Sequence, residues 1–202
     1  MSMIKNVVFD FGQVLVHFKP VYMVGKFVAD EGDSAMIVQA LFDRLYWDQL
    51  DAGTITDEQV LLAVKERLPE RLWSVAETIY WEWIHNIPAI EGMEEVIKTV
   101  KEKHQKQVFL LSNISKYFAA HADEIPILRY IEKRVFSAVC GMVKPHENIF
   151  AHLCDKYAIL PQETLFIDDS EKNIAGAEAF GIQGYLFDGD VEKLRRYLED
   201  VL

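Results

Sequence analysis

Polar side chains follow four of the apolar runs in this sequence of 202 residues. They are Asp10 after 4–9, Ser112 and Asn113 after 107–111, Lys144 after 134–139, and Asp168 and Asp169 after 164–167. If these runs are parallel strands of one sheet, their carboxyl ends lie along one edge and the polar groups converge there. Clustered carboxylates raise each other's pKa, and a divalent cation relieves their repulsion. Oxygen ligands that leave water positions open favour Mg²⁺.

The alternation of helical and apolar stretches along the sequence predicts the parallel sheet that would bring these polar groups together. From Pro88 onward, helical stretches alternate with apolar runs, the last of which is 183–187. Continuous apolar strands alternating with helices are typical of a parallel sheet covered on both faces. We therefore expect an α/β fold with a Rossmann-like core built from residues 1–16 and 88–202. The intervening residues 17–87 have a helical pattern and are expected to form an inserted cap of about four short helices.

The composition of the chain limits its functional class. Half of the residues are hydrophobic and 26% are charged, which suits a globular protein with a substantial core. The net charge of -11 disfavours nucleic acid and anionic membranes as partners. Two cysteines without a Cys/His cluster predict neither a disulfide framework nor structural zinc. Since neither a signal peptide nor a membrane span is apparent, a cytoplasmic protein is expected, and the oligomeric state stays open.

Four motifs, in this order, resemble those of the haloacid dehalogenase superfamily. They are FDFGQVL at 9–15, LSN at 111–113, GMVKP at 141–145 and FIDDSEKN at 166–173. The resemblance covers essentially the whole chain, including a helical cap between the first two motifs. It is closest to the branch of the bacterial α-D-glucose-1-phosphate phosphatases and the phosphatase half of soluble epoxide hydrolase. It implies a Mg²⁺-dependent phosphatase for a small phosphorylated metabolite, with sugar phosphates among the candidate substrates.

The resemblance also implies roles for the residues at the ends of the strands. Asp10 would be the nucleophile that forms an aspartyl-phosphate, and Lys144 would neutralise phosphate charge and orient Asp10. Mg²⁺ would be held by Asp10, by the backbone carbonyl of Gly12 and by Asp169. Asp168 would be either a further metal ligand or a support for one.

Three further residues complete the expected site. By the same resemblance, the Ser112 side chain and the backbone N–H of Asn113 would hold phosphate oxygens. Asn173 stands four residues after Asp169, one helical turn along, and is expected to point back toward the metal. Simpler alternatives remain open, because Ser112 and Asn173 could serve only as capping or packing residues.

One position departs from the family pattern. Most phosphatases of the superfamily carry a second Asp two residues after the nucleophile as general acid and base, but here that residue is Gly12. Such a group contributes roughly 10²- to 10⁴-fold in rate. His17, in the region where family members have a flap over the site, is a candidate substitute because its pKa range suits proton transfer near neutrality. The alternatives are that His17 is a partly exposed loop residue and that a good leaving group needs no acid.

Two rival functions therefore accompany the phosphatase interpretation. The first is a dehalogenase that uses Asp10 on carbon, a reaction that needs no metal and is disfavoured by the Asp168–Asp169 pair. The second is a non-catalytic binding protein that keeps the metal site, for which Gly12 is the only support. A nucleophile has no purpose in a pure binder, so the sequence favours an enzyme.

Overall fold

The computed structural model describes residues 3–202 and confirms the predicted α/β architecture. Within those residues the strands are β1 (Asn6–Phe9), β2 (Gln107–Ser112), β3 (Lys133–Phe136), β4 (Thr164–Asp168) and β5 (Gln183–Leu186). They form one sheet in the order β3-β2-β1-β4-β5, and every neighbouring pair is parallel. Because β1 is central, Asp10 emerges between the carboxyl ends of β2 and β4.

Helices connect the strands and cover both faces of the sheet. Between β1 and β2 lie α1 (Pro20–Gly25), α2 (Glu31–Phe42), α3 (Trp47–Asp51), α4 (Asp57–Glu66), α5 (Trp73–Glu82) and α6 (Met93–Lys98). Beyond β2 lie α7 (Lys116–His121), α8 (Ser137–Cys140), α9 (Glu147–Tyr157), α10 (Glu171–Phe180) and α11 (Val191–Val201). None of the helices in the described part of the chain combines the length and apolar character needed to cross a bilayer.

The central strand is buried on both sides. Val7 and Phe9 pack into one hydrophobic cluster, whereas Val8 packs into another together with residues of α9 and α10. Successive side chains of a strand point to opposite faces, so a continuous apolar run is what a doubly covered strand needs. This burial fixes the register of β1 and hence the place where Asp10 leaves the sheet.

The third strand is shorter than the sequence predicts. We expected an apolar strand over 134–139, but β3 ends at Phe136 and Ser137–Cys140 forms a turn of helix. The Ser137 hydroxyl accepts a hydrogen bond from the Ile114 N–H at 2.9 Å. This contact draws the chain toward the end of β2, so the residues after Ser137 form a turn of helix in which Ala138 is buried and Val139 is exposed.

The helical region between β1 and β2 has a hydrophobic core of its own, which includes Val24, Ile37 and Ile79. It holds α1–α5, one more helix than the four that we expected there. The chain enters and leaves this region through adjacent segments: His17 N–H donates to the Pro88 carbonyl oxygen at 2.8 Å. The cap boundaries at 16/17 and 87/88 stay a prediction, and the contact between His17 and Pro88 agrees with them.

Candidate active site

A cavity of about 610 Å³ opens at the carboxyl ends of the strands, beneath the helical region. Most of the residues selected from the sequence line it, namely Asp10, Gly12, Ser112, Asn113, Lys144, Asp169 and Asn173. Ser112 is the last residue of β2 and Asp10 follows β1 directly. The parallel sheet therefore brings together groups that are up to 163 positions apart in the sequence, from Asp10 to Asn173.

Lys144 joins two carboxylates at the base of this cavity. Its ammonium lies 2.6 Å from an oxygen of Asp10 and 2.6 Å from an oxygen of Asp168. Burial acts to lower the pKa of Lys144, but the two carboxylates outweigh burial and raise that pKa above its ordinary value. Lys144 therefore carries a fixed positive charge beside Asp10, the local charge that an anionic ligand needs in an acidic protein.

Asp168 is fully buried, and its oxygens are already engaged. It accepts hydrogen bonds from the Ser170 N–H at 2.8 Å and from the Asn173 amide at 3.0 Å, in addition to the contact with Lys144. The Asn173 side chain, which we expected to point toward a metal, thus orients Asp168. Asp168 in turn positions Lys144.

The backbone of Lys144 is fixed as firmly as its side chain. The Asn113 amide donates to the Lys144 carbonyl oxygen at 3.0 Å, and the Asn113 side-chain oxygen accepts from the Lys144 N–H at 2.8 Å. On the other side, Gly176 lets α10 approach so closely that an added Cβ would overlap the Pro145 carbonyl oxygen. Both contacts hold the loop that carries Lys144 over the cavity.

A divalent cation suits the carboxylates at this site. Asp10, Asp168 and Asp169 each offer an oxygen within 4.8 Å of the others. Burial raises the pKa of Asp10 to about 7, with the Lys144 charge opposing and the Asp168 charge adding to this effect. Burial and the charge of Asp168 also raise the pKa of Asp169. A hard cation would stabilise the ionised forms of these buried carboxylates and offset their mutual repulsion, so the residues present fit Mg²⁺.

Asp168 does not line the cavity but lies against Lys144 at its base, so His17 is the selected residue that stands apart from the site. It is not among the residues that line the cavity, whereas its neighbour Phe18 is. The segment runs beside 88–90, with Val16 bridging to Ala89, and neighbouring side chains of extended chain point to opposite sides. Burial and the charge of Lys19 also lower the pKa of His17. The imidazole is therefore mostly unprotonated at neutral pH and is a poor proton donor. The structure thus does not bring His17 to the position of a proton donor.

The sequence did not predict the side of the cavity that is formed mainly by the helical region, here called the upper wall. Its aromatic residues are Phe18, Phe42, Trp47 and Trp83. Its charged residues are Arg44, Asp48 and Asp51 from the helical region, with Lys172 from α10. One oxygen of Asp51 is buried and has no hydrogen-bond partner within residues 3–202, and burial raises the pKa of Asp51 to about 7. The run Asp51-Ala52-Gly53 looks like an ordinary polar break in the sequence, so it gave no sign of this placement.

The raised pKa of Asp51 predicts a pH-dependent cost in stability. A carboxyl whose pKa is about 7 when folded and 3.8 when unfolded binds more protons in the folded state between those values. Stability therefore falls as pH rises through that window and is constant above it. Asp51→Asn lacks this titration, so the variant should gain on the wild type in free energy of unfolding as pH rises from 4 to 8, by about 4 kcal/mol in all. That advantage should shrink toward pH 4.

Urea denaturation at pH 4, 6 and 8 measures this difference. Arg44, Asp48 and Lys144 are the charged groups that act on Asp51, and they are unchanged in the variant. A difference between the two proteins that is the same at all three pH values would contradict the burial of an ionisable Asp51.

The comparison with known families agrees with the motifs. A family profile described as haloacid dehalogenase-like hydrolase matches residues 4–181. Among curated proteins, the D-ribitol-5-phosphate phosphatase of Bacteroides thetaiotaomicron is 24% identical over 191 residues, which cover 91% of each chain. A phosphoglycolate phosphatase of Mannheimia succiniciproducens is 28% identical over 145 residues, or 68% of this chain and 58% of that protein.

A solved structure shows the same fold. It is a HAD family enzyme of Bacteroides thetaiotaomicron in a magnesium complex, with a TM-score of 0.72 and 24% identity. The match covers 96% of this chain and 100% of that one. The likeness therefore extends over the sheet and the helical region together.

Proposed function

The chain belongs to the haloacid dehalogenase-like hydrolase family, and on that premise we propose that it is a magnesium-dependent phosphatase for a small phosphomonoester. In this proposal Asp10 attacks phosphorus and forms an aspartyl-phosphate, which water then hydrolyses. The observation that carries the proposal is the contact of Lys144 with both Asp10 and Asp168, beside Asp169, at the base of the cavity. Phosphatases among the relatives support the same reaction class.

The proposed steps follow from the hydrogen bonds of the site. Lys144 holds one oxygen of Asp10 at 2.6 Å, which leaves the other oxygen to form the bond to phosphorus. As that bond forms, the bond from phosphorus to the leaving oxygen breaks, and the leaving oxygen takes up a proton from water in the cavity. The Ser112 hydroxyl and the Asn113 N–H would donate hydrogen bonds to the phosphoryl oxygens. Attack of water on phosphorus then releases inorganic phosphate and restores Asp10.

The metal requirement separates this reaction from dehalogenation. Mg²⁺, held by Asp10, Asp169 and the Gly12 carbonyl, with Asp168 as ligand or support, would offset the charges of the nucleophile and the phosphoryl group. Displacement of halide from carbon by Asp10 involves no anionic phosphoryl group and needs no such ion. The clustering of three carboxylates therefore favours phosphoryl transfer.

The class of phosphate ester that the protein hydrolyses depends on the leaving group. Resemblance to the α-D-glucose-1-phosphate phosphatase branch, in which Gly at the position of Gly12 is common, stays a prediction. An anomeric phosphate has a good leaving group, which would reduce the need for a proton donor. Sugar 1-phosphates are accordingly the substrates that we propose first, and the D-ribitol-5-phosphate phosphatase among the relatives adds polyol phosphates to the candidates.

The test is phosphate release by the wild type from p-nitrophenyl phosphate, glucose 1-phosphate, ribitol 5-phosphate and 2-phosphoglycolate, with Mg²⁺ or with EDTA. Chloride release from 2-chloropropionate is measured beside it. Release of phosphate that requires Mg²⁺, without release of chloride, is the expected result. Chloride release that persists in EDTA would establish the dehalogenase instead. A folded protein that binds Mg²⁺ but turns over none of these compounds would support the non-catalytic alternative.

Asn113→Ala should lower kcat/KM for the best substrate about 10- to 100-fold, because small displacements of a catalytic group have effects of this size. The substitution removes both hydrogen bonds that fix the Lys144 backbone, but it keeps the backbone N–H of residue 113. Steady-state kinetics and thermal unfolding of the same preparations measure the change.

Asn86→Ala is the matched control. Asn86 also donates its amide to a backbone carbonyl, that of Glu82 at 2.8 Å, but it does not line the cavity. Equal activities of the two variants would contradict a positioning role for Asn113.

A further inference from the structure

The helical region contributes a largely buried carboxyl group, that of Asp51, to the wall of the cavity that holds Asp10. Asp51 is the last residue of α3 and lines that cavity. Its Oδ1 is shielded from solvent and has no hydrogen-bond partner among the described residues. A buried polar atom without a partner destabilises a fold, so such an atom in a cavity points to a ligand that supplies the missing donor.

The backbone around Asp51 is rigidly placed over the sheet. The turn after α3 is closed by hydrogen bonds from Gly53 N–H to the Leu50 carbonyl and from Thr54 N–H to the Gln49 carbonyl, both of 2.9 Å. Gly53 has a φ of +70°, and an added Cβ would lie 2.6 Å from the Ala138 carbonyl oxygen. The turn therefore rests directly on α8, which holds Asp51 at a fixed position relative to the strand ends.

The charged groups near Asp51 are already paired with others. Arg44 contacts Asp48 at 2.8 Å on the exposed rim, where their side chains are 75% and 77% exposed. Lys144, below, is held by two carboxylates. Asp51 is thus left without a cation of its own, and it can accept a hydrogen bond from a bound molecule.

The upper wall also carries a group of aromatic side chains. Phe18 lies edge-on to Trp47 and Trp83, with ring centroids 5.5 and 5.7 Å apart. The indole N–H of Trp47 donates to the Leu41 carbonyl oxygen at 2.7 Å, so its polar atom is not available to a ligand. Aromatic rings of this kind offer apolar surfaces on which the C–H groups of a sugar or polyol can pack.

We propose that Asp51 is a specificity-determining residue that accepts a hydrogen bond from a hydroxyl of the leaving group, so that the enzyme prefers uncharged, polyhydroxylated phosphate esters. A leaving group that carries its own carboxylate, such as that of 2-phosphoglycolate, meets the like charge of ionised Asp51 at pH 8 and is disfavoured. This inference rests on the phosphatase function proposed above and adds the residue that selects the leaving group.

The experiment compares wild type, Asp51→Ala and Asp51→Asn on three kinds of substrate. They are the best hydroxylated ester among ribitol 5-phosphate, glycerol 3-phosphate and glucose 1-phosphate, then p-nitrophenyl phosphate, then 2-phosphoglycolate. With the hydroxylated ester, kcat/KM of Asp51→Ala should fall about 10- to 100-fold, chiefly through KM, as expected for loss of a hydrogen bond to a charged group. With p-nitrophenyl phosphate it should change less than about 3-fold, since that leaving group offers no hydroxyl. Activity on 2-phosphoglycolate, relative to the hydroxylated ester, should rise.

Two controls make the result specific. Glu66→Gln removes an acidic charge from an exposed position of α4 outside the cavity and should leave all three activities unchanged. Asp51→Asn keeps the shape of the side chain and one acceptor oxygen, so its loss on the hydroxylated ester should be smaller than that of Asp51→Ala. If Asp51→Ala does not fold, the selective loss in Asp51→Asn decides the question.

The outcomes separate this inference from the function on which it rests. No phosphate release by the wild type from any ester would overturn both. Turnover by the wild type with equal losses on all three substrates, or with no loss, would overturn the role of Asp51 alone. So would a loss confined to kcat that grows as the leaving group becomes more basic, because that pattern describes a proton donor.

Discussion

Asp10→Asn is expected to lower kcat by at least about 10⁴-fold, because an amide cannot form the acyl-phosphate and removal of a nucleophile has effects of this size. The fold should persist, since Lys144 keeps its contact with Asp168 at 2.6 Å when Asp10 changes. Phosphate release from the best substrate at saturating Mg²⁺, for wild type and variant, measures the loss. Circular dichroism of the same samples reports the fold.

Asp155→Asn is the control for the Asp10 variant, because it makes the same chemical change at an exposed position of α9. Its kcat should match that of the wild type. A folded Asp10→Asn protein that retains a tenth of the wild-type kcat would show that another group attacks phosphorus, and the proposed roles of Lys144 and Asp168 would fail with it.

Gly12→Asp should produce a gain of activity. Gly12 lines the cavity, a Cβ added there meets no atom within 4 Å, and its φ is not in the left-handed region. A carboxyl at this position would occupy the place of the proton donor that most phosphatases of the family carry. We expect kcat on alkyl phosphates, whose leaving oxygen needs a proton, to rise about 10²-fold.

Gly12→Asn separates proton donation from the filling of space, because its side chain has nearly the same size but no carboxyl group. It should give no increase. p-Nitrophenyl phosphate provides a second control, since its leaving group departs without protonation and its kcat should change less than about 3-fold. An unchanged rate of Gly12→Asp on alkyl phosphates would mean that Gly12 does not limit proton transfer.

The sheet and the base of the cavity could be predicted from the sequence because they depend on simple rules. Buried parallel strands are continuous apolar runs, and the carboxyl ends of such strands share one edge. Asp10, Ser112 and Asp168 could therefore be grouped although they are far apart in the chain. The contacts among them could not be predicted: the hydrogen bond from the Asn173 amide to Asp168 depends on side-chain packing at the start of α10.

The upper wall could not be predicted, because it depends on how the helical region rests on the core. Asp51 reaches the cavity only because Gly53 packs against Ala138, a contact between positions 85 apart in the chain that no local pattern reveals. Gly176 left a weak signal, since a glycine inside a helix often has a packing reason. The position of the His17 side chain could not be predicted from spacing alone. Adjacent side chains of an extended segment point to opposite sides, and here Phe18 rather than His17 lines the cavity.

The most direct test of the account is chemical trapping of the intermediate on Asp10. Wild-type enzyme turning over its best substrate with Mg²⁺ is quenched in acid and treated with borohydride, which reduces an aspartyl-phosphate to homoserine. Mass spectrometry of the peptides then locates the change. The account predicts homoserine at position 10, only when substrate is present. Steady release of phosphate with an unmodified Asp10, or with the modification at Asp169, would contradict it.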